Sequence, residues 1–270
     1  VPELPEVEAI RRRLEPYIVG QRIVSFTWIL PRILREGDSN ALIGSTIKGF
    51  HRRGKHLIIE TDRPIAIFVH LRMTGTLLWG SASLEDCFLR ARIQLESGEV
   101  FYRDIRTLGG FWIRALESPP WKTLALDPLE TGFTTSYLTD RLVGKKIAIK
   151  QALLDQAVVS GIGNIYASEV LFRSGVHPLQ PSCHLSAREV ERIVFLSRQV
   201  LEEAIASNGT TFRDFRLSDG REGSFQDFLK VYGKANQPCS KCGTLIKRIT
   251  QGQRSSFFCP QCQKLSHRPR

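Results

Sequence analysis

Four cysteines carry the most legible chemistry in this sequence. Cys239-Ser-Lys-Cys242 and Cys259-Pro-Gln-Cys262 are two CxxC pairs with sixteen residues between them, a spacing that reads as a zinc site. Two intervening residues let both thiols of a pair reach one ion from a tight turn. Four thiolates then give one structural Zn²⁺ a closed tetrahedral shell with no position left for catalysis. The other reading, two disulfides, belongs to secreted chains, and nothing here suggests secretion. Lys247, Arg248 and Arg254 lie between the pairs, with Phe257 and Phe258 beside them; together they predict a β-hairpin finger that presents cations to a phosphate backbone. Cys87 and Cys183 stand alone and read as small buried hydrophobes. At the other end, Pro2-Glu3-Leu4-Pro5-Glu6-Val7-Glu8 by itself reads as a helix entry, its acids placed near the positive end of the helix dipole.

The elements that must position these groups divide the chain into two textures. Pro5, then Val7, Ile10, Leu14 and Ile18 at helical spacing, predict an opening helix that stops near Gly20. From about Ile23 to Ile113 short β-branched and aromatic runs follow, among them 56–59, 65–69 and 99–102, and these suggest a β-sandwich. Pro119, Pro120 and Pro128 mark the approach to a linker. From about Tyr137 the pattern is helical. Its clearest helix opens with a capping box at Ser186–Glu189 and ends at Asn208-Gly209. The polar stretch from Thr210 to Gly223 reads as a loop, and the basic tail after Cys262 as disordered.

Bulk properties narrow the partner. The 270 residues carry 38 Lys plus Arg against 27 Asp plus Glu, a net charge of +11, which points to a polyanion and above all to nucleic acid. No stretch approaches the ~18 consecutive apolar residues of a membrane span, and no signal-peptide pattern opens the chain. The protein is therefore expected in the reducing cytoplasm, without a membrane partner. A zinc finger on a basic chain predicts a DNA-binding protein; it does not by itself predict an enzyme.

The opening Pro2–Glu8 segment resembles that of the bacterial formamidopyrimidine-DNA glycosylases, and later segments resemble the same family in order. His70-Leu71-Arg72-Met73-Thr74-Gly75 is similar to its loop around a void-filling methionine. Gly161-Ile162-Gly163-Asn164-Ile165-Tyr166-Ala167-Ser168-Glu169 is similar to its helix-two-turn-helix signature, and Gln253-Arg254 sits where its finger carries an arginine. The resemblance implies an α+β fold: an N-terminal β-sandwich with flanking helices, then a helical helix-two-turn-helix domain with a zinc-finger β-hairpin. The expected ranges are 1–130, 137–232 and 233–263. It also implies a monomer that acts on double-stranded DNA containing an oxidised or abasic nucleotide, in a bacterial cytoplasm and on the nucleoid.

The implied chemistry suits the residue types. The secondary amine of a terminal Pro2 attacks C1′ of a damaged nucleotide, expels the base and forms an iminium ion, an electron sink that promotes elimination of the 3′ and then the 5′ phosphate. A free α-amino group has a pKa of about 7.7–8.0, so part of it is unprotonated at neutral pH. Glu3 shuttles protons to and from the sugar. Residue 1 is Val, and with Val1 attached the Pro2 nitrogen is an amide without a nucleophilic lone pair; the expectation is a GTG start codon, read as methionine and removed. Lys55 corresponds to a phosphate-gripping lysine that assists elimination, Arg254 to the finger arginine that clamps phosphate, and Asn164 to a phosphate-binding asparagine at a helix start. Lys150 corresponds to a lysine near the damaged base and Lys145 to a DNA-contacting one; His70 belongs to the same DNA-contacting set.

A base must leave the duplex to be reached, and the gap must be filled. Met73, the only methionine, and Arg106 match two of the family's gap-filling residues, Arg106 facing the orphaned cytosine. The third, a phenylalanine wedge, is Leu108 here, apolar but unable to stack. Phe88 stands where many members carry a histidine. Leu4 and Met73 favour oxidised purines over the oxidised pyrimidines preferred by the related endonuclease VIII group. A non-catalytic zinc-finger DNA binder is the reading that follows if Val1 is retained.

Overall fold

The computed structural model describes residues 2–80, 86–210 and 223–265. Most of the polar 210–223 stretch, the end of the basic tail and Val1 lie outside the described residues. The chain separates into two compact units. One comprises Val1–Lys122 with Ser207–Gln226, the other Thr123–Ala206 with Asp227–Arg270. The ranges expected from sequence divide the chain differently, because the segment following the longest helix groups with the first unit.

In the first unit, α1 (Leu4–Ile18) opens with Pro5 in its first turn and a reciprocal capping box between Glu3 and Glu6. Here Glu3 N donates to Glu6 Oε2 at 2.8 Å, so orphan amides of the first turn are satisfied locally. Val7, Ile10, Leu14 and Ile18 face a core shared with two sheets. One sheet has the order β1 (Ile23–Trp28), β7 (Leu89–Leu95), β8 (Gly98–Asp104), β6 (Gly75–Trp79). The other has the order β2 (Leu34–Glu36), β9 (Gly110–Ala115), β5 (Ile65–His70), β4 (His56–Thr61), β3 (Ile47–Arg53). Pairing is antiparallel except between β2 and β9. Burial alternates along β4 and β7, as it does when one face of a strand meets the core. Each such Ile, Leu or Phe contributes roughly 1.5–3 kcal/mol by leaving water.

In the second unit, α2 (Thr135–Leu142), α3 (Ile149–Leu154), α4 (Asn164–Ser174) and α5 (Ala187–Ala206) precede the hairpin of β10 (Lys247–Gln251) and β11 (Arg254–Phe258). The capping box before α5 forms as expected: Ser186 N donates to Glu189 Oε2 at 2.7 Å, and Glu189 N to Ser186 Oγ at 3.3 Å. Helix α4 is almost wholly buried and packs on α3, α5 and β11. Among the described residues no helix is long and apolar enough to cross a membrane. The expectation for the two lone cysteines is corrected, since both Cys87 and Cys183 are exposed. Cys87 lies in a surface turn and Cys183 in the single 3-10 turn Ser182–His184, so neither side chain reaches a core.

Candidate functional site

Pro2 is buried and immediately precedes α1; Glu3 and Glu6 beside it are 2% and 1% exposed. Glu6 does more than cap the helix. Its Oε1 accepts the Thr210 amide at 2.7 Å, while Thr210 bridges to Ser224. Thr210 and, through it, Ser224 are thus tied to the head of α1, next to Pro2 and Glu3. One turn later, Glu8 accepts from Arg11, Arg12 and Arg52 at 2.8–3.2 Å. Burial alone pushes the Glu8 carboxyl up, but hydrogen bonds from Arg11 and Arg12 and the charges of Arg11 and Arg52 hold it below its ordinary value. Arg52 continues to the Gly54 carbonyl at 3.0 Å. Gly54-Lys55 is the two-residue turn of the β3–β4 hairpin, and Gly54 at φ +55 supplies the positive φ that such a turn needs at its first position. An ionic chain therefore runs from α1 to the turn that carries Lys55.

At the base of that turn, His56 pairs across the sheet with His70. Their rings meet edge-on at 4.6 Å, with Trp121 at 4.7 Å from His56. Burial, with the nearby Arg72 and Lys55 charges, lowers His56 to about 4; burial, with His56, Arg72 and Lys55, lowers His70 to about 2. Both are neutral at pH 7. The Nδ1 of His70 accepts the Arg72 amide at 3.0 Å, which leaves its proton on Nε2 as a neutral donor. Arg72 then turns the chain at φ +57 and presents the half-buried Met73.

Arg106 and Leu108 are exposed on the loop after β8, Leu108 at 45%. The carboxylate that anchors this loop, Asp104, is wholly buried and was not singled out by sequence reasoning. Arg90 donates to the carbonyls of Asp104 at 2.9 Å, Cys87 at 2.7 Å and Leu89 at 3.1 Å, so it braces the segment that contains Phe88.

The second unit assembles its own set. Asn164 starts α4 after Gly163, and its Nδ2 donates to the Ser255 carbonyl at 3.1 Å. Lys150, expected from the resemblance as a lysine near the damaged base, is tied to the finger hairpin. It is 1% exposed, and its Nζ donates to the Ser255 carbonyl and to Ser256 Oγ, both at 2.8 Å. The reason is the finger hairpin, whose β11 lies over it and takes up the ammonium. Arg254 is exposed beside this clamp, just after the Gly252-Gln253 turn, where both residues have positive φ in the pattern of a type I′ hairpin. Lys145 lies half-buried in the connection between α2 and α3.

The four cysteine sulfurs lie within 4.8 Å of one another, with Cys239–Cys262 at 3.9 Å and Cys242–Cys259 and Cys242–Cys262 at 3.5 Å. Tetrahedral ligands about 2.3 Å from a zinc ion are about 3.8 Å apart, so the donor set fits zinc, and sulfurs at such separations are not disulfide-bonded. Amides of Lys241 and Cys262 donate to the first thiol of each pair at 3.4 and 3.5 Å. Cys239 and Cys259 share a small core with Phe172, Val231 and Ile246. Glu169, wholly buried, accepts the amides of Lys230, Val231 and Tyr232 at 2.8–2.9 Å and so ties α4 to the approach of the finger. Sequence reasoning missed this role, although Glu169 closes the motif that drew attention to Asn164.

Comparison with known proteins gives one answer along the chain. Residues 1–111 match the formamidopyrimidine-DNA glycosylase N-terminal domain, 124–216 the formamidopyrimidine-DNA glycosylase H2TH domain, and 236–265 a zinc finger found in FPG and IleRS. The formamidopyrimidine-DNA glycosylase of Desulfitobacterium hafniense (strain DSM 10664 / DCB-2) is 40% identical over 272 residues, covering 97% of this chain and all of its own. Similar solved structures come from Lactococcus lactis Fpg. A point mutant in complex with Fapy-dG-containing DNA has TM-score 0.90 and 32% identity. A complex with abasic-site DNA has TM-score 0.91 and 33% identity, and one with oxidised-pyrimidine DNA has TM-score 0.90 and 32% identity. Each covers 97% of this chain and 100% of the other.

Proposed function

The chain belongs to the formamidopyrimidine-DNA glycosylase family, and we propose that it excises oxidised purines from duplex DNA through a Schiff base on Pro2. It is a DNA glycosylase and abasic-site lyase of base-excision repair that carries a four-cysteine zinc finger. The observation that carries the finer reading is the head of α1, where Pro2 and Glu3 are held together by the Glu3–Glu6 capping box. The amine of a terminal Pro2 attacks C1′ as the bond to the base breaks, and the base leaves with a proton. Glu3 protonates O4′ as the sugar opens to the iminium ion. Loss of a C2′ proton then expels the 3′ phosphate, and loss of a C4′ proton expels the 5′ phosphate. The helix N-terminus, equivalent to about half a positive charge, disfavours an ammonium at Pro2 and so favours the nucleophilic form.

Lys55 and Arg254 hold the phosphates flanking the lesion, and Asn164 keeps its second amide proton for a phosphate. His70 donates from neutral Nε2. Met73, Arg106 and Leu108 fill the gap left by the flipped nucleotide. Lys150 acts through the hairpin, positioning Arg254. The Fapy-dG complex of the Lactococcus lactis relative supports the purine reading, and its oxidised-pyrimidine complex makes a pyrimidine lesion the necessary comparison.

Borohydride trapping tests the proposal on an 8-oxoguanine:C duplex, with a thymine-glycol duplex alongside and intact-mass analysis of the captured protein. The expected result is a covalent adduct, stronger on 8-oxoguanine, on protein that begins at Pro2. Binding without capture would leave a zinc-finger DNA binder. Capture by protein that retains Val1 would remove Pro2 as the nucleophile.

A further inference from the structure

We infer that Asp104 is a positioning residue that sets the gap-filling loops and thereby reads the base opposite the lesion. The inference rests on the reading above, in which Met73, Arg106 and Leu108 enter the duplex. Asp104 is the last residue of β8 and is fully buried. Its Oδ1 accepts the Thr74 hydroxyl at 2.5 Å and the Arg106 amide at 3.2 Å. Its Oδ2 accepts the Gly109 amide at 2.9 Å and the Tyr102 hydroxyl at 3.1 Å. The Arg106 amide is shared with Thr74 Oγ1 at 3.0 Å. One carboxylate thus ties the residue after Met73 to both ends of the loop that presents Arg106 and Leu108.

The loop needs such an anchor. Thr107 is β-branched and sits at φ +54, a conformation that persists only where surroundings impose it. Arg32 bonds the Thr107 hydroxyl at 2.8 Å and Arg35 the Gly109 carbonyl at 2.9 Å. Gly109 permits the close approach, because a Cβ there would lie 1.8 Å from the Tyr102 hydroxyl. The loop backbone is therefore drawn inward while its Arg106 and Leu108 side chains remain outside.

The chemistry of position 104 requires an acceptor on both sides. Asparagine is nearly isosteric, yet its NH₂ group would face either the Arg106 amide or the Gly109 amide, and one end of the loop would lose its acceptor. Asp104→Asn should therefore loosen Arg106 without removing it. The readout is the ratio of single-turnover excision rates on 8-oxoguanine:C and 8-oxoguanine:A duplexes.

Three variants make the test: D104N, R106A and the double variant. D104N should lower the C-over-A ratio about tenfold, towards that of R106A, and the double variant should show no further loss. If D104N slows both duplexes equally, or the two losses multiply in the double variant, Asp104 is merely structural and the inference falls. If R106A itself leaves the ratio unchanged, the assignment of Arg106 to the orphaned base fails first and takes the inference with it. Should D104N not fold, Thr74→Val, which removes the shared hydroxyl and keeps the carboxylate, enters the same cycle with the same expected direction.

Discussion

At the scale of single residues, the paired histidines show how burial decides a protonation state that sequence leaves open. His56 and His70 meet edge-on at the root of the Lys55 turn and the Met73 loop, within reach of the Arg72 and Lys55 charges. An unfolded histidine titrates near 6.5, whereas His56 in the fold titrates at about 4. As pH falls below about 6.5, the unfolded chain binds a proton that the folded chain refuses. The His56 contribution is therefore fully present above about pH 6.5, is lost progressively as pH falls to about 4, and then levels off. Urea melts between about pH 7.5 and pH 4 should show this slope. His56→Phe, which keeps a ring against Trp121, should remove about one proton's worth of it; an unchanged slope would place the titration elsewhere. His70 stood out in the sequence only as part of its loop motif and His56 only as a strand residue; their pairing across β4 and β5 makes them a neutral unit.

At the scale of elements, the finger hairpin is held by residues that lie far away in sequence. Lys150 and Asn164 share the Ser255 carbonyl, and Ser256 Oγ passes the network on to Gln251 at 3.0 Å. Lys150→Met keeps the buried volume but leaves the Ser256 hydroxyl and part of the Ser255 carbonyl without a donor, a loss of about 1–3 kcal/mol. The variant should keep its zinc, melt at lower temperature, and accumulate the β-elimination product over the β,δ product by about tenfold as Arg254 loses its placement. A product gel with zinc analysis checks this, and unchanged product ratios would return Lys150 to a purely structural role. The hairpin, the Ser186–Glu189 capping box and the opening helix were legible from local signals. The clamp was not, because it joins residues 150, 164 and 255 through a backbone carbonyl, which carries no sequence signature.

At the scale of the whole molecule, charge and metal set how DNA is held. Lys55, Lys145 and Arg254 as phosphate contacts predict that log K falls against log salt with a slope of about −3, and Arg254→Ala should reduce that slope by about 1. Fluorescence anisotropy across a salt series measures both; an unchanged slope in the variant removes Arg254 from the phosphate contacts. Zinc acts through packing, since Cys239 and Cys259 share a core with Phe172 of α4. A strong chelator should therefore weaken DNA binding at least about tenfold and expose the finger hairpin to proteolysis, both reversed by added zinc. Retained affinity in metal-free protein would overturn this coupling.

By itself the sequence determined the zinc ligands, the basic character, the two textures of strand and helix, and the family motifs around Pro2, Met73 and Asn164. These are local or compositional signals, carried by spacing within a few residues. The tertiary structure alone decided the buried carboxylates. Glu6 takes the Thr210 amide and Glu169 the amides of residues 230–232, all far away in sequence. Asp104 joins the distant Thr74 hydroxyl to the Arg106 and Gly109 amides of its own loop. Tertiary structure also decided that Lys150 faces inward, because a charged side chain reveals its partner only once the fold has closed over it. The four cysteines are legible as a spacing pattern, whereas the packing of Cys239 and Cys259 against Phe172 of α4 exists only in the fold.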